Sequence, residues 1–246
     1  LTEHTSEIRR AVNGAEVAHL AAREIIETLE AQLLQKPEVH FALTGGTVGI
    51  LTLATLAEQP DLERVDLSRV HFWWGDERFV ASNSEDRNAI QARRVLFEKI
   101  QVSEFNIHEF PSSDNSLELE RAKTEFLIEL RKHFGSAVLF DLVILGMGPD
   151  GHIASLFPGH ESLADGQEVI AETNSPKPPA QRLSFSYSVL NSAKKIIFVV
   201  SGLDKASAVT DVHTNENSLL PAAKISAHEE TIWFVDQAAG ADFWRC

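Results

Sequence analysis

The sequence predicts an α/β fold: an open, mostly parallel Rossmann-like sheet with helices on both faces. Three observations predict it. Apolar runs of strand length recur at 39–44, 70–74, 142–145, 195–201 and 231–235. Stretches with helical apolar spacing separate them. Several of the runs break into glycine or charged turns at their carboxyl ends, where open parallel sheets bind ligands. The 246 residues can bury a full core, and the even spread of these runs predicts one domain over residues 1–246.

The elements follow in order. Val17, Leu20, Ala21, Ile25, Leu29, Leu33 and Leu34 recur at helical spacing with charges between them, so residues 16–35 read as an amphipathic helix ended by Pro37. Residues 39–44 form a strand, the Gly45-Gly46-Thr47 turn follows, and 48–58 read as a helix. Residues 70–74 are the next strand, leading into Gly75-Asp76-Glu77-Arg78. Ser82 and Glu85 have capping-box spacing, which places a helix over 85–99. A weak strand at 106–110 precedes a strong helix at 116–134 that stops at Gly135.

The clearest buried strand is Leu142 to Leu145, which ends in three glycines within six positions, with His152 directly after. A short helix closed by Pro158 is expected beyond it. Residues 168–172 read as a strand, Ser175-Pro-Lys-Pro-Pro179 as a stiff loop, and 183–187 alternates like a strand with one polar face. The strand at 195–201 turns at Gly202 into a helix over 204–213, and 231–235 supplies the last strand.

Composition narrows the function. A formal charge of −14 argues against electrostatic binding of nucleic acid or anionic membrane, which need a basic face. An anionic ligand must then be met by a few local cations. The one cysteine, Cys246, cannot form an intrachain disulfide or a thiol cluster for a metal, so a reducing compartment is expected. No apolar run approaches the ~20 residues of a membrane span, and no signal-like segment is read at the N-terminus. The chain opens on Leu1 and its only methionine is Met147, the expectation being a start trimmed or incompletely represented. A cytoplasmic enzyme, monomeric or a small homo-oligomer, is the expectation.

The glycine turns at 45–46 and 146–151, the cluster at 75–78 and Gly202 all fall at predicted strand carboxyl ends, so one edge of the sheet can collect them. Thr44-Gly45-Gly46-Thr47 presents backbone N–H groups at a helix N-terminus, where orphan donors and the dipole favour a phosphate. An ordinary strand-to-helix turn needs the same glycines. Lys205 opens a predicted helix, where a cation opposes the dipole unless it reaches a bound anion; a solvated lysine beside Asp204 is the plain alternative. Arg182 can fork onto phosphate oxygens or sit in a structural ion pair. Gly146-Met-Gly-Pro-Asp-Gly151 matches the dinucleotide fingerprint G-x-G-x-x-G, but the helix is too short and no convincing strand end carries Glu168 or Glu172. His152, at a strand's carboxyl end, can take a proton from water near neutral pH. Asp76 and Asp150 are the candidates to orient it or to polarise a substrate, although Asp76-Glu77-Arg78 also reads as a surface charge cluster.

Taken together, Phe140 to Gly159, Trp74-Gly-Asp-Glu-Arg78, Thr44-Gly-Gly-Thr47, Ser175-Pro-Lys-Pro-Pro179 and Gly202-x-x-Lys205-Ala206 resemble the 6-phosphogluconolactonases, within the wider glucosamine-6-phosphate isomerase/deaminase group. The resemblance spans nearly the whole chain in family order. It implies hydrolysis of a small sugar-phosphate lactone, 6-phosphoglucono-1,5-lactone, in the pentose phosphate pathway, without metal or organic cofactor. It implies His152 as general base, Gly45, Gly46, Thr47, Arg182 and Lys205 on the phosphate beside Thr44, and Asp76 and Arg78 at the sugar end.

Two departures separate the chain from the deaminases of that group. After His152 it reads Ile153-Ala-Ser-Leu-Phe-Pro-Gly159, without the glutamate those enzymes place near the histidine, and it carries Arg78 where they usually have tyrosine. One departure from the lactonases is Phe79-Val-Ala-Ser-Asn-Ser-Glu-Asp-Arg87-Asn88 in place of their usual proline and Ser-Asn-Tyr. It leaves the role of Arg87 or Asn88 in substrate contact open, as is that of Lys177. A sugar-phosphate sensor that binds without turnover is the reading from another class.

Overall fold

The computed structural model describes residues 5–160 and 166–245; Leu1 and Cys246 lie outside them. Six strands form one parallel sheet: β1 (Thr5–Ala11), β2 (Val39–Leu43), β3 (Val70–Trp74), β5 (Leu142–Leu145), β8 (Lys195–Val200) and β9 (Glu230–Asp236), in the order β1-β9-β8-β5-β2-β3. A smaller antiparallel sheet holds β4 (Asp76–Arg78), β7 (Arg182–Phe185) and β6 (Val169–Glu172), in the order β4-β7-β6. The helices are α1 (Gly14–Leu33), α2 (Thr47–Ala57), α3 (Asn88–Ala92), α4 (Leu119–Phe134), α5 (Tyr187–Leu190) and α6 (Ala206–Thr214). No helix among the described residues is long and apolar enough to cross a membrane.

The pleat of β3 shows how the sheet is covered on both faces. Phe72 and Trp74 meet Phe97 on one side, at ring-centroid distances of 5.1 and 6.0 Å. Trp73 points the other way and meets Phe126 and Phe134 of α4 at 6.1 and 5.3 Å. A strand buried on both faces is apolar at nearly every position, and β2, β3 and β5 are, with His40 and His71 the exceptions. The helix α1 starts at Asn13, whose side chain accepts from the Glu16 N–H at 3.0 Å, a standard N-cap. It lays Val17, Ala21, Ile25 and Leu29 into the core.

Five expectations are corrected. The strand β1 was not anticipated, because only Ile8 and Ala11 in it are apolar; it exists through its parallel ladder to β9, from Thr5 opposite Glu230 to Ala11 opposite Asp236. The helix expected over 85–99 starts at Asn88 and passes into a π-turn, Arg93–Phe97. Ser82 does not cap it: its N–H donates to Asp114, and Glu85 pairs with Arg94. The cap comes from Glu77 in β4, whose carboxylate accepts from the N–H groups of Asn88 and Ala89 at 2.8 and 2.9 Å. The strand expected at 106–110 is a single bridge, Ile107 to Phe72, because a 3₁₀ turn over Glu104–Asn106 precedes it. The strand expected at 183–187 is Arg182–Phe185, since Tyr187 already begins α5. After His152 no helix forms: the chain turns through Ala154, at φ 45°, and makes an isolated bridge between Ile153 and Leu156.

The chain order reverses between β2 and β5. From β2 the sheet grows outward to β3 on one side, and from β5 to β8 and β9 on the other. The loops leaving the carboxyl ends of β2 and β5 therefore diverge and leave a crevice, where doubly wound sheets bind ligands.

Candidate active site

A cavity of about 550 Å³ opens at that crevice. The turn after β2 supplies Thr44 to Gly49, β4 supplies Asp76 and Arg78, and α3 supplies Asn88. The turn after β5 supplies Gly146 to Gly148 and His152; the proline loop and β7 supply Lys177 and Arg182; the turn after β8 supplies Ser201, Asp204 and Lys205. Every residue assigned a site role from the sequence lines this space except Asp150, which pairs with His152.

Gly46 is the N-cap of α2 at φ 78°, a backbone that only glycine adopts without strain. The first turn of α2 thus points its free N–H groups into the cavity, beside Gly45 and Thr47. Gly45 has a second constraint: a Cβ there would stand 1.9 Å from Asn88 Oδ1. Asn88 reaches this place because its Nδ2 donates to the Asp76 carbonyl at 2.9 Å. Its Oδ1 is buried with no protein partner, as is Arg78 Nε.

Asp76 is 6 % exposed. It accepts from Ser155 Oγ at 2.6 Å and lies 3.9 Å from Arg182 Nη1. The register of the small sheet sets Asp76 opposite Ser184 and Arg78 opposite Arg182, so the two arginines face each other across the ladder; Arg78 Nη1 donates to the Asp86 carbonyl at 2.5 Å. Arg182 is itself braced from behind. Its Nε donates to the Pro179 carbonyl and its Nη2 to those of Lys177 and Pro178, at 3.1–3.3 Å, which leaves Nη1 facing Asp76 and the cavity. The proline loop therefore aims an arginine. Burial, opposed by Asp76, lowers the Arg182 pKa, and Arg78 lowers it further.

His152 is held from two sides. Its Nδ1 pairs with the Asp150 carboxylate, which fixes Nδ1 as the protonated nitrogen and leaves the Nε2 lone pair free. Its ring lies 4.7 Å from that of Phe157. Burial pushes its pKa below the usual histidine value, Asp150 opposes the shift, and Lys177 adds to it. The imidazole is neutral at pH 7. Lys177, Arg182 and Lys205 line this one cavity; burial depresses the Lys177 pKa, Asp150 opposes the shift, and Lys205 and Arg182 reinforce it. In a chain of net charge −14, this is a local positive field.

The structure separates two residues that the sequence left equivalent. Arg87 is 1 % exposed and turned away: Nη2 donates to the Phe110 carbonyl at 2.7 Å, and its ion pairs run to Glu77 and Glu109. Asn88, its neighbour, faces the cavity. Ser155, Gly148 and Asn88 are site residues that sequence reasoning did not assign. Only the pattern following His152 held a signal for Ser155, and nothing in the sequence joined it to Asp76, 79 residues away.

Residues 13–233 match the family model described as glucosamine-6-phosphate isomerases/6-phosphogluconolactonase. A 6-phosphogluconolactonase of Streptomyces coelicolor is 33% identical over 234 residues, covering 92% of this chain and 89% of that protein. The chloroplastic 6-phosphogluconolactonase 3 of Arabidopsis thaliana is 34% identical over 210 residues; the match covers 81% of this chain and 63% of the longer plant protein. The crystal structure of a Thermotoga maritima 6-phosphogluconolactonase superposes with a TM-score of 0.83 at 29% identity, covering 94% of this chain and 100% of that one.

Proposed function

The chain belongs to the glucosamine-6-phosphate isomerase/6-phosphogluconolactonase family, and we propose that it hydrolyses 6-phosphoglucono-1,5-lactone to 6-phosphogluconate, the hydrolytic second step of the oxidative pentose phosphate pathway. One observation carries the reading: a single cavity is lined both by a neutral, oriented imidazole and by a helix N-terminus with three cations. A phosphorylated lactone has its two reactive needs at opposite ends, and this cavity meets both.

The phosphate sits against the first turn of α2 at Gly45, Gly46 and Thr47, with Arg182, Lys205 and Lys177 around it. Binding that remote dianion fixes the carbonyl near His152. The Nε2 of His152 takes a proton from water as the oxygen attacks the lactone carbon. The tetrahedral adduct then collapses, the bond from the carbonyl carbon to the ring oxygen breaks, and the imidazolium returns its proton to that oxygen as the sugar hydroxyl forms. Asp150 holds the ring in one tautomer and stabilises the imidazolium. A lactone is already an activated ester, so a general base contributing roughly 10²–10⁴ is enough without a covalent nucleophile. Asp76, Arg78 and Asn88, which line the same cavity, are the residues that would meet sugar hydroxyls.

The amino-sugar isomerase reading within the same family is weaker here. The residues that follow His152 place Ser155, Leu156 and Phe157 in the interior, and none is a carboxylate that could share the proton with the imidazole. The test is lactone consumption above the spontaneous rate by wild type and by His152→Ala. Equal rates would remove the base, and ammonia release from glucosamine 6-phosphate would move the chain to the other branch.

A further inference from the structure

At the opposite end of the sheet from the cavity, the amino ends of β2 and β3 carry a second concentration of ionisable side chains. His71 is the second residue of β3, His108 follows the bridge to Phe72, and His133 lies in the last turn of α4. One ring nitrogen from each lies within 4.8 Å of the other two. His71 Nδ1 and His108 Nε2 are 2.9 Å apart. We propose that His71, His108 and His133 form a binding site for a zinc-class divalent transition-metal ion, with Glu129 and Glu38 as the carboxylates that orient the ligating rings.

The donor set fits that class of ion. Imidazole nitrogens suit zinc, cobalt and nickel, and three of them with an open fourth position form a recognised coordination sphere. Ligating histidines commonly present their other ring nitrogen to a carboxylate. That feature is already in place for two of the three: His108 Nδ1 lies 3.1 Å from Glu129 Oε1 and His133 Nε2 lies 3.0 Å from the same oxygen, while Glu38 Oε2 stands 3.8 Å from His71 Nε2 and closes to a hydrogen bond by a small side-chain rotation. In the metal-free protein, His71 Nδ1–H donates to His108 Nε2, which is the acceptor left once His108 Nδ1–H donates to Glu129. Metal binding needs both facing nitrogens bare. The His71 proton moves to Nε2, where Glu38 receives it, so the ion enters without a net change in protonation.

Two imidazole nitrogens on one tetrahedral zinc stand about 3.3 Å apart for Zn–N bonds of ~2.0–2.1 Å, so the 2.9 Å pair opens by a few tenths of an ångström, while the His133 nitrogen, within 4.8 Å of the other two, closes on the ion by side-chain rotation. His71 and His108 are kept neutral. Burial pushes His108 down to about 4, with the neighbouring imidazoles adding to it, and lowers His71. Burial would raise the Glu129 carboxyl, but the two imidazole N–H donors outweigh it and hold the group ionised. Lys132 lies 3.7 Å from the other Glu129 oxygen and is 70% exposed, so water screens it. His40, ring to ring with His71 at 5.0 Å, spends Nδ1 on the Trp73 indole N–H and stays outside the set.

Such an ion would tie β3, the 107–110 segment and the carboxyl end of α4 together, far from the reacting atoms. The experiment is zinc uptake by chelator-stripped full-length protein, measured by calorimetry and by elemental analysis after gel filtration, with cobalt as a visible probe. Wild type and His152→Asn should each take up one equivalent and show the absorption of four-coordinate cobalt, and His133→Asn and His71→Gln should take up none. Saturating zinc should raise the melting temperature of wild type by roughly 5–10 °C at a hundredfold excess over the Kd and leave that of His133→Asn unchanged. No uptake by wild type, uptake lost in His152→Asn, or equal uptake in His133→Asn would each overturn the assignment.

Discussion

A Cβ placed on Gly148 would stand 1.9 Å from Nδ1 of His152 and 2.6 Å from Oδ1 of Asp150, so the imidazole and its carboxylate are seated on bare backbone. The Gly148 N–H also donates to the His152 carbonyl at 2.8 Å, which closes the turn beneath the ring. Gly148→Ala should therefore push the imidazole off its axis and reduce kcat by about 10²-fold or more, within the span assigned to a positioned general base. The obstructing atoms belong to side chains, so the melting temperature should fall only slightly. A variant with full activity would show that the ring does not need this seat.

The pH dependence follows from the environment of His152. Burial lowers its pKa and Asp150 raises it, so the acid limb of kcat/KM should lie below the ordinary histidine value of about 6.5. Asp150→Asn removes the group that raises the pKa, and should move the limb to lower pH while reducing the plateau. Lys177→Met removes a group that lowers it, and should move the limb to higher pH. Profiles that shift in the opposite directions would contradict the assignment of His152 as the titrating base.

Lys205 provides a test of phosphate anchoring that is separable from folding. Its side chain donates to Asp204 at 2.8 Å, and that partner is exposed. Lys205→Met should leave the melting point unchanged. A lost charge-assisted contact of about 1.5–3 kcal/mol corresponds to a KM raised about ten- to hundredfold, with the salt dependence of KM reduced. Steady-state kinetics at two ionic strengths would check both.

Glu77 is the structural counterpart of Asp76 and should behave differently. Its carboxylate accepts from the N–H groups of Arg78, Asn88 and Ala89. Glu77→Gln would turn an amide N–H₂ toward one of these donors and should cost about 1–3 kcal/mol of stability. Burial pushes the Glu77 pKa up to about 7, against the pull of Arg87 and those three donors. The native chain therefore holds a proton that the unfolded chain has lost between about pH 4.5 and 7, and this group's contribution to stability falls as pH rises through that window. The stability gap between wild type and Glu77→Gln should narrow over the same range in denaturant titrations.

Legibility divided along local and non-local lines. The strand Leu142–Leu145 and the helix α1 were readable because a buried strand or an amphipathic helix writes its period into consecutive residues. The strand β1 was not, because its ladder partner β9 lies more than two hundred residues on. The start of α3 was misplaced because its cap is the side chain of Glu77, eleven residues earlier and on another element. Local spacing at Ser82 and Glu85 imitated a cap whose geometry the chain does not adopt. Arg87 and Asn88 looked alike in the sequence; one turned inward to the 110–111 carbonyls and the other to the cavity.

The sequence by itself determined the α/β class, the turns at strand ends and the chemical types available there: a histidine after a glycine turn, glycines before a helix, and a few cations in an acidic chain. Tertiary structure decided which of these meet. The order β8-β5-β2-β3 brings the turns after four separate strands to one edge, the small antiparallel sheet sets Arg78 across from Arg182, and Ser155 reaches Asp76. Sequence periodicity reports which face of an element is buried, whereas sheet order and register determine which distant side chains share a cavity.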